Sequence, residues 1–81
     1  MFKNKNGGKN NLCGENVRKL RLGYKIKLSQ RALADRMQLI GIDVDKNAIQ
    51  RIEAGKRFVT DIELKALAEI FAVSVEQLIS D

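Results

Sequence analysis

Leu28-Ser29-Gln30-Arg31-Ala32-Leu33-Ala34 and, further on, Ala48-Ile49-Gln50-Arg51-Ile52-Glu53-Ala54-Gly55-Lys56-Arg57 are the stretches that decide the fold of this chain. Each belongs to a short helix that starts on a polar capping residue framed by apolar ones. Ser29 follows Leu28 and precedes Leu33 by four positions, and Asp45 stands in the same way between Val44 and Ile49. In that arrangement the flanking apolar side chains meet across the cap and fix the angle at which the chain enters the helix. Ala34 is small where the two helices must cross, and Leu33 and Met37 fill the core beside it. On the second helix Ile49 and Ile52 share the inward face, which leaves Lys46, Asn47, Gln50 and Arg51 facing outward.

The same start signal recurs toward the C-terminus as Val59/Thr60/Leu64 and Val73/Ser74/Leu78, here with the reciprocal capping pairs Thr60 with Glu63 and Ser74 with Gln77. Gly41 and Gly55 stand where the second and third helices should stop, since glycine tolerates the left-handed conformation of a helix end. Upstream, Val17, Leu20 and Tyr24 recur at helical spacing with Arg18, Lys19 and Arg21 between them, giving a first helix from about Cys13 to near Gly23. Leu64, Leu67, Ala68 and Phe71 form one core stripe, and Val75, Leu78 and Ile79 a short last helix. The expected fold is all-α: a compact five-helix bundle over residues 13–81. Residues 1–12 are rich in Lys, Asn and Gly, have little to bury, and read as a disordered basic arm, either a tail without a role or one whose Lys3, Lys5 and Lys9 approach phosphates without fixed geometry.

Composition narrows the chemistry. Eighty-one residues make one domain, and 15 Lys and Arg against 10 Asp and Glu give a formal charge of +5, with a pI near 9.7. Phosphate backbone is the natural partner of such a surface, an acidic protein the other. One cysteine and no histidine exclude the usual zinc-ligand sets and a Cys-His or Ser-His catalytic pair. The chain is therefore not expected to be an enzyme or to carry a cofactor or metal. No apolar run nears the roughly 18 residues of a membrane span, and the polar start is unlike a signal peptide. A cytoplasmic protein without membrane contact is expected.

The crossing pair now reads as a helix-turn-helix, and its outward face matches base edges: Arg or Lys suits guanine O6 and N7, Asn or Gln suits adenine N6 and N7. On an isolated helix such a face would be ordinary solvated surface, so the surrounding frame matters. Leu28-Ser29-Gln30, Leu33-Ala34, Ile49, Ile52-Glu53-x-Gly55-Lys56-Arg57 and Val59-Thr60-Asp61-x-Glu63-Leu64 resemble the Cro and phage-repressor type of helix-turn-helix regulators, also called the xenobiotic-response-element family. The resemblance runs from about Glu15 to Ile79. It implies a lambda-repressor-like domain that binds double-stranded DNA sequence-specifically, with the third helix as recognition helix, in a small transcriptional regulator acting as a repressor by operator occupancy.

Carried over position by position, the resemblance implies that Lys46, Asn47 and Arg51 reach base edges with Gln50 beside them. It implies that Gln30 contacts a phosphate and braces the start of the recognition helix, and that Lys56 and Arg57 clamp phosphates after it, where exposed backbone N–H groups of the loop assist the cations. Lys27, in the basic Tyr24-Lys25-x-Lys27 run before the second helix, joins the phosphate-binding set. Arg21 and Glu53 resemble an internal ion pair tying the first helix to the third. Because one recognition helix reads only a short half-site, a homodimer on a palindromic operator is expected, formed in solution or only on DNA, through the apolar surface of Val75, Leu78 and Ile79.

Two departures stand out. Ala34 and Ile49 lie fifteen positions apart, more than the family's common spacing, so an insertion around residues 38–43 should lengthen the second helix. Leu39, Ile40 and Ile42 must then pack or meet another molecule. The loop between Arg21 and Gln30 is also longer than usual. A different reading keeps the fold but uses exposed Ile40, Ile42 and the last helix to bind protein, as an antitoxin or accessory component. The salt dependence of DNA binding separates the two.

Overall fold

The computed structural model describes residues 7–81 and contains five helices, α1 (Gly14–Leu22), α2 (Gln30–Leu39), α3 (Lys46–Glu53), α4 (Asp61–Phe71) and α5 (Val75–Ile79). Four of their starts are capped by the expected side chains. Ser29 Oγ accepts from the Ala32 N–H at 3.0 Å and Asp45 Oδ1 from the Ala48 N–H at 2.8 Å. Thr60 with Glu63, and Ser74 with Gln77, close complete capping boxes. Each such cap stabilises its helix by about 1 kcal/mol.

Three helices end by one device. Past α2, the Gly41 N–H donates to Gln38 O and the Ile42 N–H to Met37 O. Past α3, the Gly55 N–H donates to Ile52 O and the Lys56 N–H to Arg51 O. These paired bonds satisfy the orphan carbonyls of the last turn and require a left-handed residue between them, here glycine at φ 89° and 76°. The same two bonds close α4, from the N–H groups of Ala72 and Val73 to Glu69 O and Ala68 O, but the left-handed residue is Ala72, at φ 55°. Its Cβ makes that conformation cost about 1–2 kcal/mol.

Val17, Leu33, Met37, Ile49, Ile52, Leu67 and Leu78 are fully buried and form a single core, with Ala34 at the α2–α3 crossing. Leu78 thus enters the core and leaves Val75 and Ile79 as the partly exposed apolar residues of α5, a correction to the three-residue surface expected of this helix. Tyr24 lies past the end of α1, in the long loop, where its ring meets Phe71 edge-on at 6.1 Å and its hydroxyl accepts from Arg36 at 2.8 Å. The insertion is only partly absorbed. Ile42 packs against the core and Gln38 Nε2 donates to Val44 O at 2.7 Å, whereas Leu39 remains 85% exposed.

The N-terminal boundary also moves. Asn10 and Asn11, which their composition places in a disordered arm, are hydrogen-bonded to the segment after α3 and belong to the folded domain. Lys9 forms an ion pair with Glu15. Lys3 and Lys5 lie outside the described residues.

Candidate nucleic-acid interface

α3 positions the expected base-reading residues. Ile49 and Ile52 are fully buried, so a helix of 100° per residue must turn Lys46, Asn47, Gln50 and Arg51 outward, and all four are exposed. Asn47, Gln50 and Arg51 are neighbours at spacings of three and four. Among the described residues none of these four side chains forms an ion pair within the chain. Their donors and acceptors stay open to a ligand.

Beside this face lies an open cleft lined by Arg18, Lys27, Ser29, Gln30, Arg31 and Lys46. It brings Lys27, Gln30 and Lys46 together, and adds Arg18 and Arg31. The N-terminus of α2 opens into it, with the partial positive charge of unpaired first-turn N–H groups, so cations and helix end act on an anion together. Sequence reasoning missed both arginines. Arg31 directly follows Gln30 and Arg18 sits on the polar side of the α1 stripe, but no one-dimensional pattern says that the two share a cleft. Farther along, the sign reverses: Asp35 in the middle of α2, and Asp43 and Asp45 just before α3, are exposed.

Gln30 departs from its expected bracing role. Its Nε2 donates to Glu53 Oε1 at 3.1 Å, so it braces the last residue of α3 rather than the first. Glu53 is the centre of a network in which Arg21 donates through Nε to Oε2 at 2.7 Å and through Nη2 to Oε1 at 3.0 Å. A third bond runs from Arg21 Nη1 to Leu28 O at 3.2 Å. Glu53 thus ties α1, the start of α2 and the end of α3 together.

Arg57 needs a correction as well. Its guanidinium makes a two-pronged contact with Glu63, Nη1 to Oε1 at 2.8 Å and Nη2 to Oε2 at 2.9 Å, and so is spent on the α4 cap instead of projecting as a phosphate clamp. The Arg57 hydrogen bonds hold the Glu63 carboxyl below the usual carboxylate range, and Glu63 in turn raises Arg57. A loop cation near a capping carboxylate has two possible partners, and spacing alone does not say which it takes. Lys56 remains exposed.

Among the described residues no cluster of His, Cys, Asp and Glu could hold a metal ion, and no helix is long and apolar enough to cross a membrane. In comparison with known proteins, a family model, helix-turn-helix, covers residues 17–78. No curated protein and no solved structure matches the chain.

Proposed function

Because the chain belongs to the helix-turn-helix family of Cro and repressor type and is a DNA-binding regulator, we propose that it is a repressor that occupies an operator sequence-specifically and so excludes polymerase. The observation that carries this reading is the open polar face of α3, where Lys46, Asn47, Gln50 and Arg51 are exposed opposite a buried Ile49 and Ile52. Asn47 and Arg51 read bases, Lys46 and Gln50 flank them, and Lys27, Gln30 and Lys56 hold the flanking phosphates together with Arg18 and Arg31. Each two-pronged base contact supplies about 1–3 kcal/mol of discrimination. The protein works in the cytoplasm, on the chromosome.

One recognition helix spans too few base pairs for useful selectivity, so the functional unit is a homodimer on a palindrome. Its contact surface is the apolar groove in which Leu12, Phe58 and Ile79 come together. Selection of bound duplexes from a random pool tests the whole reading. The native protein should return a palindrome, and Asn47→Ala or Arg51→Ala should relax one position in each half-site. An unchanged selected sequence from folded variants would mean that α3 does not read bases.

The exposed Leu39 at the α2–α3 turn favours a second reading, in which the domain docks on another protein. Binding that falls steeply with salt supports the DNA reading. A nearly salt-independent complex with a protein supports the other.

A further inference from the structure

The segment before α1 grips the loop after the recognition helix almost entirely through backbone carbonyls. The Asn10 N–H donates to Gly55 O at 2.8 Å and Asn10 Nδ2 to Lys56 O at 2.9 Å. Asn11 Nδ2 donates to Arg57 O at 2.8 Å and to Ile52 O at 3.1 Å, while its Oδ1 accepts from the Gly14 N–H at 2.8 Å. Three successive carbonyls, those of residues 55–57, are therefore held by two asparagines. Asn10 does this at a cost, because its Oδ1 lies buried without a hydrogen-bond partner among the described residues.

Peptide geometry turns this grip into an orientation. None of the described peptide bonds is cis, and in a trans peptide the N–H points opposite to the C=O. Fixing the carbonyls of Lys56 and Arg57 toward the asparagines swings the N–H groups of Arg57 and Phe58 to the other side. No backbone acceptor takes either N–H among the described residues, whereas the Lys56 N–H is already bonded to Arg51 O. Two successive N–H groups on one side can hold an anion between them, and Lys56, next in the chain, is exposed.

We propose that Asn10 and Asn11 are positioning residues for a DNA-phosphate cradle formed by the N–H groups of Arg57 and Phe58 and the Lys56 ammonium. The proposal rests on the DNA-binding reading. It gives the loop a way to hold a phosphate although the Arg57 side chain is paired with Glu63, and it gives the N-terminal segment a role that does not depend on its own charge.

The test walks a neutral methylphosphonate along the backbone of a selected duplex, measuring binding at each position for the native protein and for Asn10→Ala and Asn11→Ser. Serine keeps an acceptor for the Gly14 N–H but lacks the amide that reaches the loop. With the native protein, one phosphate in each half-site should, when neutralised, both weaken binding and abolish the DNA-induced amide shifts of Arg57 and Phe58. Each variant should bind the unmodified duplex about fivefold more weakly. It should also lose most of the methylphosphonate penalty at that one phosphate while keeping the penalty at the phosphate beside the α2 N-terminus and the same base preference. Full retention of the penalty at that phosphate in both variants, or an equal loss at every phosphate, overturns the proposal. If Asn11→Ser does not fold by circular dichroism, Asn10→Ala decides alone. Failure of the native protein to bind any duplex refutes the DNA-binding reading instead.

Discussion

Replacing Arg21 by methionine tests whether the Glu53 network holds the recognition helix in place. The side chains of Arg21 and Glu53 are only 12% and 4% exposed, so the Glu53 carboxylate left behind cannot be rescued by water. It would keep the Gln30 amide and lose both guanidinium bonds, while Leu28 O loses its donor. Stranding a buried charge in this way costs about 3–5 kcal/mol. At about 0.05–0.15 kcal/mol per residue, a domain of this length has a total stability of only about 4–12 kcal/mol, so the loss is a large fraction of the whole. Converting Glu53 to leucine in the same chain removes the stranded charge and should restore most of the stability, since apolar replacements of buried pairs are often neutral. Urea unfolding followed by circular dichroism gives the four corners of the cycle. A single-variant cost below about 1 kcal/mol, or a double variant no more stable than Arg21→Met, would refute the argument.

Three further outcomes are expected. Ala72→Gly should stabilise the protein by about 1 kcal/mol, read as a raised unfolding midpoint, because glycine removes the left-handed penalty that ends α4. Lys56→Ala should weaken DNA binding about equally for all sequences and lower the salt slope by about one, whereas Arg57→Ala should act on thermal stability through the loss of its Glu63 contact. Glu63 has a lowered folded pKa, chiefly through its Arg57 hydrogen bonds, so its stabilising contribution is complete above the ordinary value of 4.5 and fades as pH falls through the lowered one. Acid titration of stability should therefore be shallower in Glu63→Gln than in the native protein.

The helical frame was legible because its signals are local. Caps at Ser29, Asp45, Thr60 and Ser74, and glycines at 41 and 55, act within a few residues of themselves, so spacing alone reveals them. The outward face of α3 followed from the same arithmetic, since a buried Ile49 and Ile52 dictate what must point away. What sequence obscured depends on competition or on distant backbone. Arg57 was open to a phosphate or to Glu63, and geometry gives it to Glu63. Asn10 and Asn11 sit in a polar run that looks unable to bury anything, and their partners are carbonyls more than forty positions away, which no side-chain pattern marks. Leu78 and Leu39 show the same limit from the apolar side: periodicity says that each must be accommodated, but only the packing decides that one enters the core and the other stays in solvent.

Cys13 stands between the asparagine grip and the first turn of α1. It is the chain's one cysteine. Its thiol is almost fully buried, and burial pushes its pKa up to about 11. In the closed molecule it has neither access nor thiolate, the two requirements for attack on an alkylating reagent. Any labelling of the native chain at neutral pH must then report opening at this corner, and its rate measures how often that opening occurs. The unmodified protein thus carries an internal clock for the N-terminal grip, one that can be read with and without DNA by mass spectrometry. Slower labelling on the duplex would mean that DNA binding suppresses the opening that exposes Cys13.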